Sequence, residues 1–292
     1  MATNTPSPYP TMDSLLPPEM ARKAEDLGVR KSDMDSWSVF VLAILAGAFV
    51  ALGAIFATVS LTGTADSTVP FGWARIIAGF VFGLGLVLVV VAGAELFTGN
   101  NLLVMAWASR RITTFHVLRN WAIVYTGNFV GSIATAALAF FGMHYNLGKG
   151  AVGLQALNIA HTKVSLDFVQ ALALGALCNG LVCLAVWMTY SARTTTDRII
   201  AIMLPVAAFV AAGFEHSVAN MYFIPFALFI KAGAPIAFWT SIAKTPADFA
   251  DLTWTAFFVK NLIPVTIGNI FGGSGLVGLF YWVVYLRKQR EQ

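Results

Sequence analysis

The chain has 292 residues, of which 58% are hydrophobic and only 11% carry a formal charge. Soluble domains carry about 25% charged residues, so this composition excludes an ordinary soluble domain and predicts an integral membrane protein. The net charge of +4 does not require a nucleic-acid partner, because the basic residues cluster beside apolar segments, where they set membrane topology.

The N-terminal segment predicts no cleaved signal peptide, because residues 1–36 contain no apolar core ahead of a small-residue cleavage site. Residues 1–15 predict a disordered tail. The Pro-Pro-Glu sequence at residues 17–19 then opens a short helix, with an acid in the first turn, and Gly28 is its expected end. The helix has one apolar face, so we expect it to lie along the membrane surface.

Six charge-free runs approach or exceed the ~20 residues that cross a bilayer core as a helix. The predicted spans are Ser36–Ala65, Ile76–Ala94, Asn120–Gly148, Phe168–Ala192, Ile199–Phe214 and Asn261–Leu286. The long connection over residues 149–166 separates the third span from the fourth. Such a set of spans predicts an all-α membrane protein.

Two polar sequences interrupt the apolar regions, and each places an acid five residues before an asparagine. The first runs from Glu95 to Asn100, and the second runs from Glu215 to Asn220. A carboxylate at membrane depth is costly and is functional by default. Non-helical backbone at that depth survives only where it is buried in protein or lines a water-filled cavity. The pattern therefore predicts two broken helices around a polar pathway.

An internal repeat relates the two halves of the chain. Residues 127–131 (Gly-Asn-Phe-Val-Gly) resemble residues 268–272 (Gly-Asn-Ile-Phe-Gly), so spans one to three match spans four to six. An odd number of spans in each half predicts an inverted repeat. The predicted domains are an N-terminal tail and amphipathic helix (1–35), a first transmembrane repeat (36–148), a connection (149–166), a second transmembrane repeat (167–286) and a C-terminal tail (287–292).

The distribution of basic residues predicts the orientation. Lysine and arginine are concentrated in residues 22–31, 110–119, 193–198 and 287–290, which the six spans bring to one side. The positive-inside rule makes this side cytoplasmic and predicts that both termini lie there.

Four motifs resemble the formate/nitrite transporter family, and the resemblance covers about residues 17–288. The motifs are residues 95–99 (Glu-Leu-Phe-Thr-Gly), 176–187 (Ala-Leu-Cys-Asn-Gly-Leu-Val-Cys-Leu-Ala-Val-Trp), 213–221 (Gly-Phe-Glu-His-Ser-Val-Ala-Asn-Met) and 261–269 (Asn-Leu-Ile-Pro-Val-Thr-Ile-Gly-Asn). The Pro-Val-Thr-Ile sequence and residues 187–193 resemble the formate channel branch more than the nitrite or hydrosulfide branches.

The resemblance implies an aquaporin-like fold with six transmembrane helices, arranged as an inverted 3+3 repeat with two broken helices. It also implies a homopentamer in a bacterial inner membrane, in which each protomer has its own pore. The expected substrates are formate and related small monovalent anions, with protons and membrane lipid as further partners. No cofactor, metal or nucleic acid is expected.

His216 is the central candidate of the substrate pathway. An imidazole with an ordinary pKa near 6.5 can donate or accept a hydrogen bond, or carry a proton. Moving a bare charge into hydrocarbon costs on the order of 20 kcal/mol before relaxation, so a pore histidine is expected to hydrogen-bond or protonate the passing anion. The alternative is a buried histidine with purely structural contacts. By resemblance, Thr98 is its partner on a loop over residues 97–104; the alternative is a hydroxyl bonded to its own backbone.

Other candidates support the pathway. Glu95 and Glu215 are expected to accept hydrogen bonds from freed backbone N–H groups and to hold the helix breaks. Asn179 and Asn269 flank the pathway if the family pattern holds, with interhelical hydrogen bonding as the alternative. Lys163 is expected to attract anions into the outer vestibule, or else to be an ordinary solvated lysine.

The resemblance also implies two apolar constrictions, which gate by dewetting. Phe82, Leu86 and Phe209 form one of them, and Phe97 and Val182 form the other. The helix at about residues 17–30 is expected to act as a cytoplasmic gate.

The sequence lacks the motifs of two other classes of protein. A water or glycerol channel would place Asn-Pro-Ala sequences at Asn100 and Asn220, and these are missing. An intramembrane enzyme would carry a His-Glu-x-x-His metal motif or a serine nucleophile elbow, and neither is present. The chain is therefore predicted not to be an enzyme.

Overall fold

The computed structural model describes residues 14–64 and 68–287, and over these ranges the chain forms helices and connecting segments without a β-strand. The all-helical prediction is confirmed. The tails predicted over residues 1–15 and 287–292 lie largely outside the described residues. In the described ranges the helices are α1 (Pro17–Asp33), α2 (Ser36–Leu61), α3 (Phe71–Ala92), α4 (Val104–Ala108), α5 (Thr114–Phe141), α6 (Ala151–Val164), α7 (Phe168–Ser191), α8 (Thr195–Ala211), α9 (Ser217–Gly233), α10 (Ile236–Ser241) and α11 (Ala256–Tyr285).

Five helices of the described chain are long and apolar enough to cross a membrane: α2, α3, α5, α7 and α11. The fifth predicted span, Ile199–Phe214, falls on α8, which has 17 residues and begins with the polar sequence Thr195-Thr196-Asp197-Arg198. The apolar helix α9 also has 17 residues. The long helix α11 contains two π-helical stretches, Ala256–Leu262 and Phe271–Leu279.

The N-terminal helix differs from its prediction in length and in position. It continues through Gly28 to Asp33 because this glycine serves close packing: a Cβ there would lie 2.8 Å from the Cβ of Ala106. Its apolar face does not lie along the membrane surface as predicted. Met20 and Ala24 are instead buried in a cluster with residues of α4, α7 and α11.

Glycines allow the long helices to approach closely, and they do so in the same way in both halves. A Cβ on Gly131 of α5 would lie 1.9 Å from the carbonyl oxygen of Ile44 in α2. A Cβ on Gly272 of α11, the residue that matches Gly131 in the repeat, would lie 2.0 Å from the carbonyl oxygen of Ala176 in α7. Both distances are far below van der Waals contact, so only glycine permits these backbone approaches.

Two non-helical segments follow α3 and α8. Helix α3 ends at Ala92, Gly93 has φ +82°, and a 3₁₀ turn at Gly99–Leu103 leads into α4. Helix α8 ends at Ala211, Gly213 has φ +76°, and α9 begins at Ser217. A left-handed backbone conformation favours glycine, which explains the residue type at both turns. The first segment contains the predicted polar sequence from Glu95 to Asn100, whereas the second contains only Glu215 and His216, and the rest of that sequence begins α9.

Candidate functional site

Two cavities adjoin the non-helical segments. The first, called the Lys163 cavity, has a volume of 460 Å³, and its lining includes Arg75, Phe82, Lys163, Phe209, Glu215 and His216. The second, called the Lys31 cavity, has a volume of 310 Å³, and its lining includes Lys31, Leu86, Glu95, Leu96, Gly99 and Asn100. Each cavity therefore has a lysine and a glutamate in its wall.

At the Lys163 cavity, the buried carboxylate of Glu215 is held by three side chains. Lys163 Nζ lies 2.7 Å from Oε1, and the amides of Asn220 and Asn261 donate to Oε2 at 2.7 and 3.1 Å. The Asn220 amide also donates to Asn261 Oδ1 at 2.7 Å. The lysine ammonium lies 5.5 Å from the ring centroid of Phe223. The charge of Glu215 is thus neutralised by a cation and by amide donors, as a buried carboxylate requires.

The Lys31 cavity contains a matching cluster. Lys31 Nζ lies 2.9 Å from Glu95 Oε1 and donates to Asn100 Oδ1 at 2.7 Å. The amide of Asn100 donates to Glu95 Oε2 at 2.7 Å and to Asn120 Oδ1 at 2.9 Å. Lys31 was not among the predicted site residues. The sequence shows the two equal Glu–Asn motifs, but only the fold shows that each glutamate is paired with a lysine.

The partners of the two glutamates differ from the prediction. Among the described residues, side chains and not backbone N–H groups bind their carboxylates. Freed backbone groups are instead satisfied by asparagines. Asn128 accepts from the N–H of Phe97 at 2.9 Å and donates to the carbonyls of Ala43 and Glu95 at 2.8 and 2.9 Å. An amide can satisfy both N–H and C=O groups, whereas a carboxylate only accepts.

Asn269 has the same role in the second half, which corrects its assignment to the substrate pathway. It accepts from the N–H of Ser217 at 3.0 Å and donates to the carbonyls of Gly175 and Glu215 at 2.8 and 3.0 Å. Both amide hydrogens are therefore committed to the backbone. The fully buried Asn179 donates to the carbonyl of Asn269 at 2.7 Å, so it braces this contact.

His216 and Thr98 meet as the resemblance implies. Thr98 Oγ1 lies 3.1 Å from His216 Nε2, and both side chains are buried. His216 borders the Lys163 cavity, whereas Leu96 and Gly99, on either side of Thr98 in the chain, border the Lys31 cavity. One member of the contact thus borders one cavity, and chain neighbours of the other member border the second cavity.

The hydrogen bonds of His216 define its tautomer. His216 is the N-cap of α9, and its Nδ1 accepts from the backbone N–H of Ala219 at 3.1 Å. Because Nδ1 is an acceptor, the neutral ring carries its hydrogen on Nε2 and donates it to the Thr98 hydroxyl oxygen. That hydroxyl keeps its own hydrogen as a donor. A second proton on the ring, at Nδ1, would displace the Ala219 N–H.

Apolar side chains surround this contact, and those expected to form constrictions occupy different places. The ring of Phe209 lies 5.9 Å from His216 and 5.8 Å from Phe82, and both phenylalanines border the Lys163 cavity. Leu86 borders the Lys31 cavity instead. The Phe97 ring contacts Tyr125 and Trp121 of α5, with centroids 4.9 and 6.1 Å apart. Val182 is buried in the core.

Other reactive side chains form no second centre in the described chain. In residues 14–64 and 68–287, no three His, Cys, Asp or Glu side chains converge to hold a metal ion. Cys178 and Cys183 are buried and not disulfide-bonded, and Cys183 Sγ donates to the carbonyl of Thr98 at 3.3 Å.

Comparison with known proteins identifies the family of the chain. The sequence model of the formate/nitrite transporter family matches residues 18–283. The chain is 48% identical to the formate channel FocA of Escherichia coli K12, over 94% of this chain and 96% of that protein. It is 42% identical to the formate channel FocA of Haemophilus influenzae, over 91% of this chain and 93% of that protein.

Solved structures are also similar. A pentameric formate channel with formate bound matches with a TM-score of 0.82 and 45% identity, over 86% of this chain and 98% of that chain. An FNT family ion channel matches with a TM-score of 0.75 and 28% identity, over 91% of this chain and 98% of that chain. These relatives are channels and not enzymes. The chain is therefore a membrane protein that belongs to the formate/nitrite transporter family.

Proposed function

We propose that this protein conducts formate and related small monovalent anions across a bacterial inner membrane, by a pathway between His216 and Thr98. The observation that carries the proposal is the 3.1 Å contact of these buried side chains, because His216 borders the Lys163 cavity while Leu96 and Gly99, close to Thr98 in the chain, border the Lys31 cavity. The relatives support the substrate, because several are named formate channels and one similar structure holds formate.

Entry into the pathway depends on the lysines. An anion that leaves bulk water loses solvation, and Lys163 or Lys31 compensates part of this cost in the cavity wall. Each ammonium already lies within 3 Å of a glutamate carboxylate, at 2.7 Å for Lys163 and 2.9 Å for Lys31. The lysines therefore attract the anion without a large excess of charge that would trap it.

At the centre, the anion separates His216 from Thr98. The Nε2–H group of the neutral ring and the Thr98 hydroxyl both donate to the anion oxygens and replace water. Protonation of the anion at Nε2 requires a replacement proton at Nδ1, where the Ala219 N–H now donates. The pH dependence that we propose arises because a proton on Nδ1 replaces the hydrogen bond from the Ala219 N–H and so removes the cap from α9.

The pathway lies in an inverted repeat of six spans. Residues 36–148 and 167–286 are the two repeats, joined by the connection 149–166, which contains α6. The segments from α3 to α4 and from α8 to α9 are the broken helices, and α8 with α9 supplies the fifth span. The matched Lys–Glu–Asn–Asn clusters and the matched contacts of Asn128 and Asn269 support this repeat.

Five such chains form the channel, each with its own pore. The similar pentameric structure supports the assembly, and the concentration of basic residues supports cytoplasmic termini. The segments 1–35 and 287–292 then lie in the cytoplasm. Helix α1 acts as a gate because it carries Lys31 and packs against α4. Deletion of residues 1–30 with unchanged pH dependence of formate flux would exclude this gate.

Apolar side chains complete the barrier on both sides of His216. Phe82 and Phe209 form a constriction toward the Lys163 cavity. Leu86, Phe97 and Val182 form the barrier toward the Lys31 cavity. These side chains exclude water until an anion enters, as in other dewetting gates.

Nitrite and hydrosulfide are the nearest alternative substrates, and a neutral-solute pore like an aquaporin is a more distant one. Flux of formate, nitrite, acetate, lactate and hydrosulfide through the purified protein in liposomes, at pH 5 and pH 7, tests the proposal. We expect formate flux well above that of protein-free liposomes. Osmotic water flux without formate flux would overturn the proposal in favour of a neutral-solute channel.

A further inference from the structure

Arg75 is a charged residue that the proposed pathway does not yet use. It lies in the first turns of α3, is half-buried and borders the Lys163 cavity. Its Nη2 donates to the carbonyl of Val210, and its Nε donates to the carbonyl of Ala211 at 3.3 Å. These carbonyls belong to the last turn of α8, where a cation is favourable.

The charge of the Lys163 cavity gives Arg75 a further role. Among the described residues of the cavity wall, Lys163 and Glu215 form an ion pair at 2.7 Å, which leaves the guanidinium of Arg75 as an additional positive charge. The described wall of the Lys31 cavity contains one cation, Lys31, and this is paired with Glu95 at 2.9 Å. In the part of the chain that the structure describes, the wall of the Lys163 cavity is therefore net positive and that of the Lys31 cavity is not.

The guanidinium also has unused donors. Arginine carries five N–H bonds in a fixed planar fork. The contacts with Val210 and Ala211 use one bond at Nη2 and the single bond at Nε. One bond at Nη2 and both bonds at Nη1 accordingly have no acceptor among the described residues. A planar carboxylate can accept two of these bonds in parallel, which a lysine ammonium cannot reproduce.

We propose that Arg75 binds planar oxyanions at the entrance of the Lys163 cavity and favours carboxylates over compact anions such as hydrosulfide. The proposal rests on the anion-channel function above. Arg75 would bind the carboxylate next to the turn at Gly213, only two residues before Glu215 and three before His216. The same guanidinium would hold the end of α8 and receive the substrate.

The test compares two anions and two variants. Formate and hydrosulfide flux into liposomes is measured against concentration for the wild-type protein, Arg75→Lys and Arg75→Gln. For Arg75→Gln, we expect the half-saturating formate concentration to rise about tenfold, as for loss of one charge-assisted hydrogen bond, with maximal flux retained. For Arg75→Lys, we expect a similar rise in the half-saturating concentration of formate, but a wild-type half-saturating concentration of hydrosulfide. The control is Lys149→Gln, which removes a cation outside the described wall of the Lys163 cavity and should change neither half-saturating concentration.

A purely structural role for Arg75 predicts a different result. Loss of the α8 contact alone would lower the maximal flux of both anions equally, together with the midpoint of thermal unfolding. The proposal would be overturned if the half-saturating concentrations of formate and hydrosulfide changed equally, or if their ratio in Arg75→Lys equalled the wild-type ratio. Neither result would contradict formate flux through the wild-type protein. A wild-type protein that conducts no formate would overturn the proposed function and, with it, this assignment.

Discussion

The two cavities share a framework but differ in chemistry. Each has a lysine, a glutamate and two asparagines in the same arrangement, and each adjoins a non-helical segment held by a third asparagine. The residue after the glutamate is His216 in one half and Leu96 in the other. Both halves thus contain the same polar framework, whereas the histidine after the glutamate occurs in one half only.

The source of the lysine is a second difference. Lys163 comes from α6, between the two halves, and its side chain is 14% exposed. Lys31 comes from α1, before the first long helix, and its side chain is 29% exposed. The Lys31 cavity thus depends on the docking of the N-terminal helix, and the Lys163 cavity does not.

The largest expected effect tests whether the halves are built alike. A methyl group added at Gly131 or at its counterpart Gly272 would collide with a backbone carbonyl oxygen, at 1.9 and 2.0 Å. We expect Gly131→Ala and Gly272→Ala to destabilise the protein by about 3 kcal/mol or more, since overpacking against backbone relaxes poorly. Thermal unfolding of the detergent-solubilised protein measures this. The control is Gly180→Ala, where the added methyl group would meet no atom within 4 Å among the described residues outside its chain neighbours and its own helix backbone. If only one of the two glycine variants at the close helix contacts kept wild-type stability, the two halves would not be packed alike.

The next largest expected effect is a difference in stability between variants of the two lysines, Lys163 and Lys31. Lys163→Met leaves the buried carboxylate of Glu215 without its cation, so we expect a loss of about 3 kcal/mol in the free energy of unfolding. Lys31→Met should cost about 1 kcal/mol, because this pair is more exposed to solvent.

Double variants provide the control for this prediction. Lys163→Met combined with Glu215→Gln should recover most of the lost stability, because the unpaired charge is removed along with its partner. Unfolding midpoints of the single and double variants measure the difference. Equal losses in the free energy of unfolding for Lys31→Met and Lys163→Met would contradict the distinction between α1, which docks as the N-terminal helix, and α6, which lies between the two halves.

The smallest effect concerns the docking of α1. Arg111 donates to Asp26 and lies 3.4 Å from Glu25, both on α1, and its side chain is 41% exposed. We expect Arg111→Gln to cost about 0.5 kcal/mol, as is typical of exposed ion pairs, and to do so only at low salt. Unfolding midpoints at two salt concentrations measure this. A loss above 2 kcal/mol would mean that the pair controls the docking of α1.

The sequence predicted the features that depend on local pattern. The Glu–Asn spacing located both polar segments, and the glycine–asparagine repeat lies on α5 and α11, whose glycines closely approach α2 and α7. Features that depend on distances between elements were missed. Gly28 resembles a helix end, but it lies inside α1 because Ala106 packs against it. Asn269 resembles a pathway donor, but its amide is committed to two carbonyls that only the folded chain brings together.

His216→Asn offers the most direct test of the central claim, that the Nε2 donor of His216 controls passage of the anion. Asparagine is a good N-cap, so it retains the hydrogen bond to the Ala219 N–H while removing the donor that faces Thr98. His216→Phe removes both contacts and serves as the comparison. Formate flux into liposomes is measured from pH 5 to pH 8. The account predicts that His216→Asn keeps wild-type thermal stability but loses the pH dependence of the flux. An unchanged pH profile in His216→Asn would contradict it.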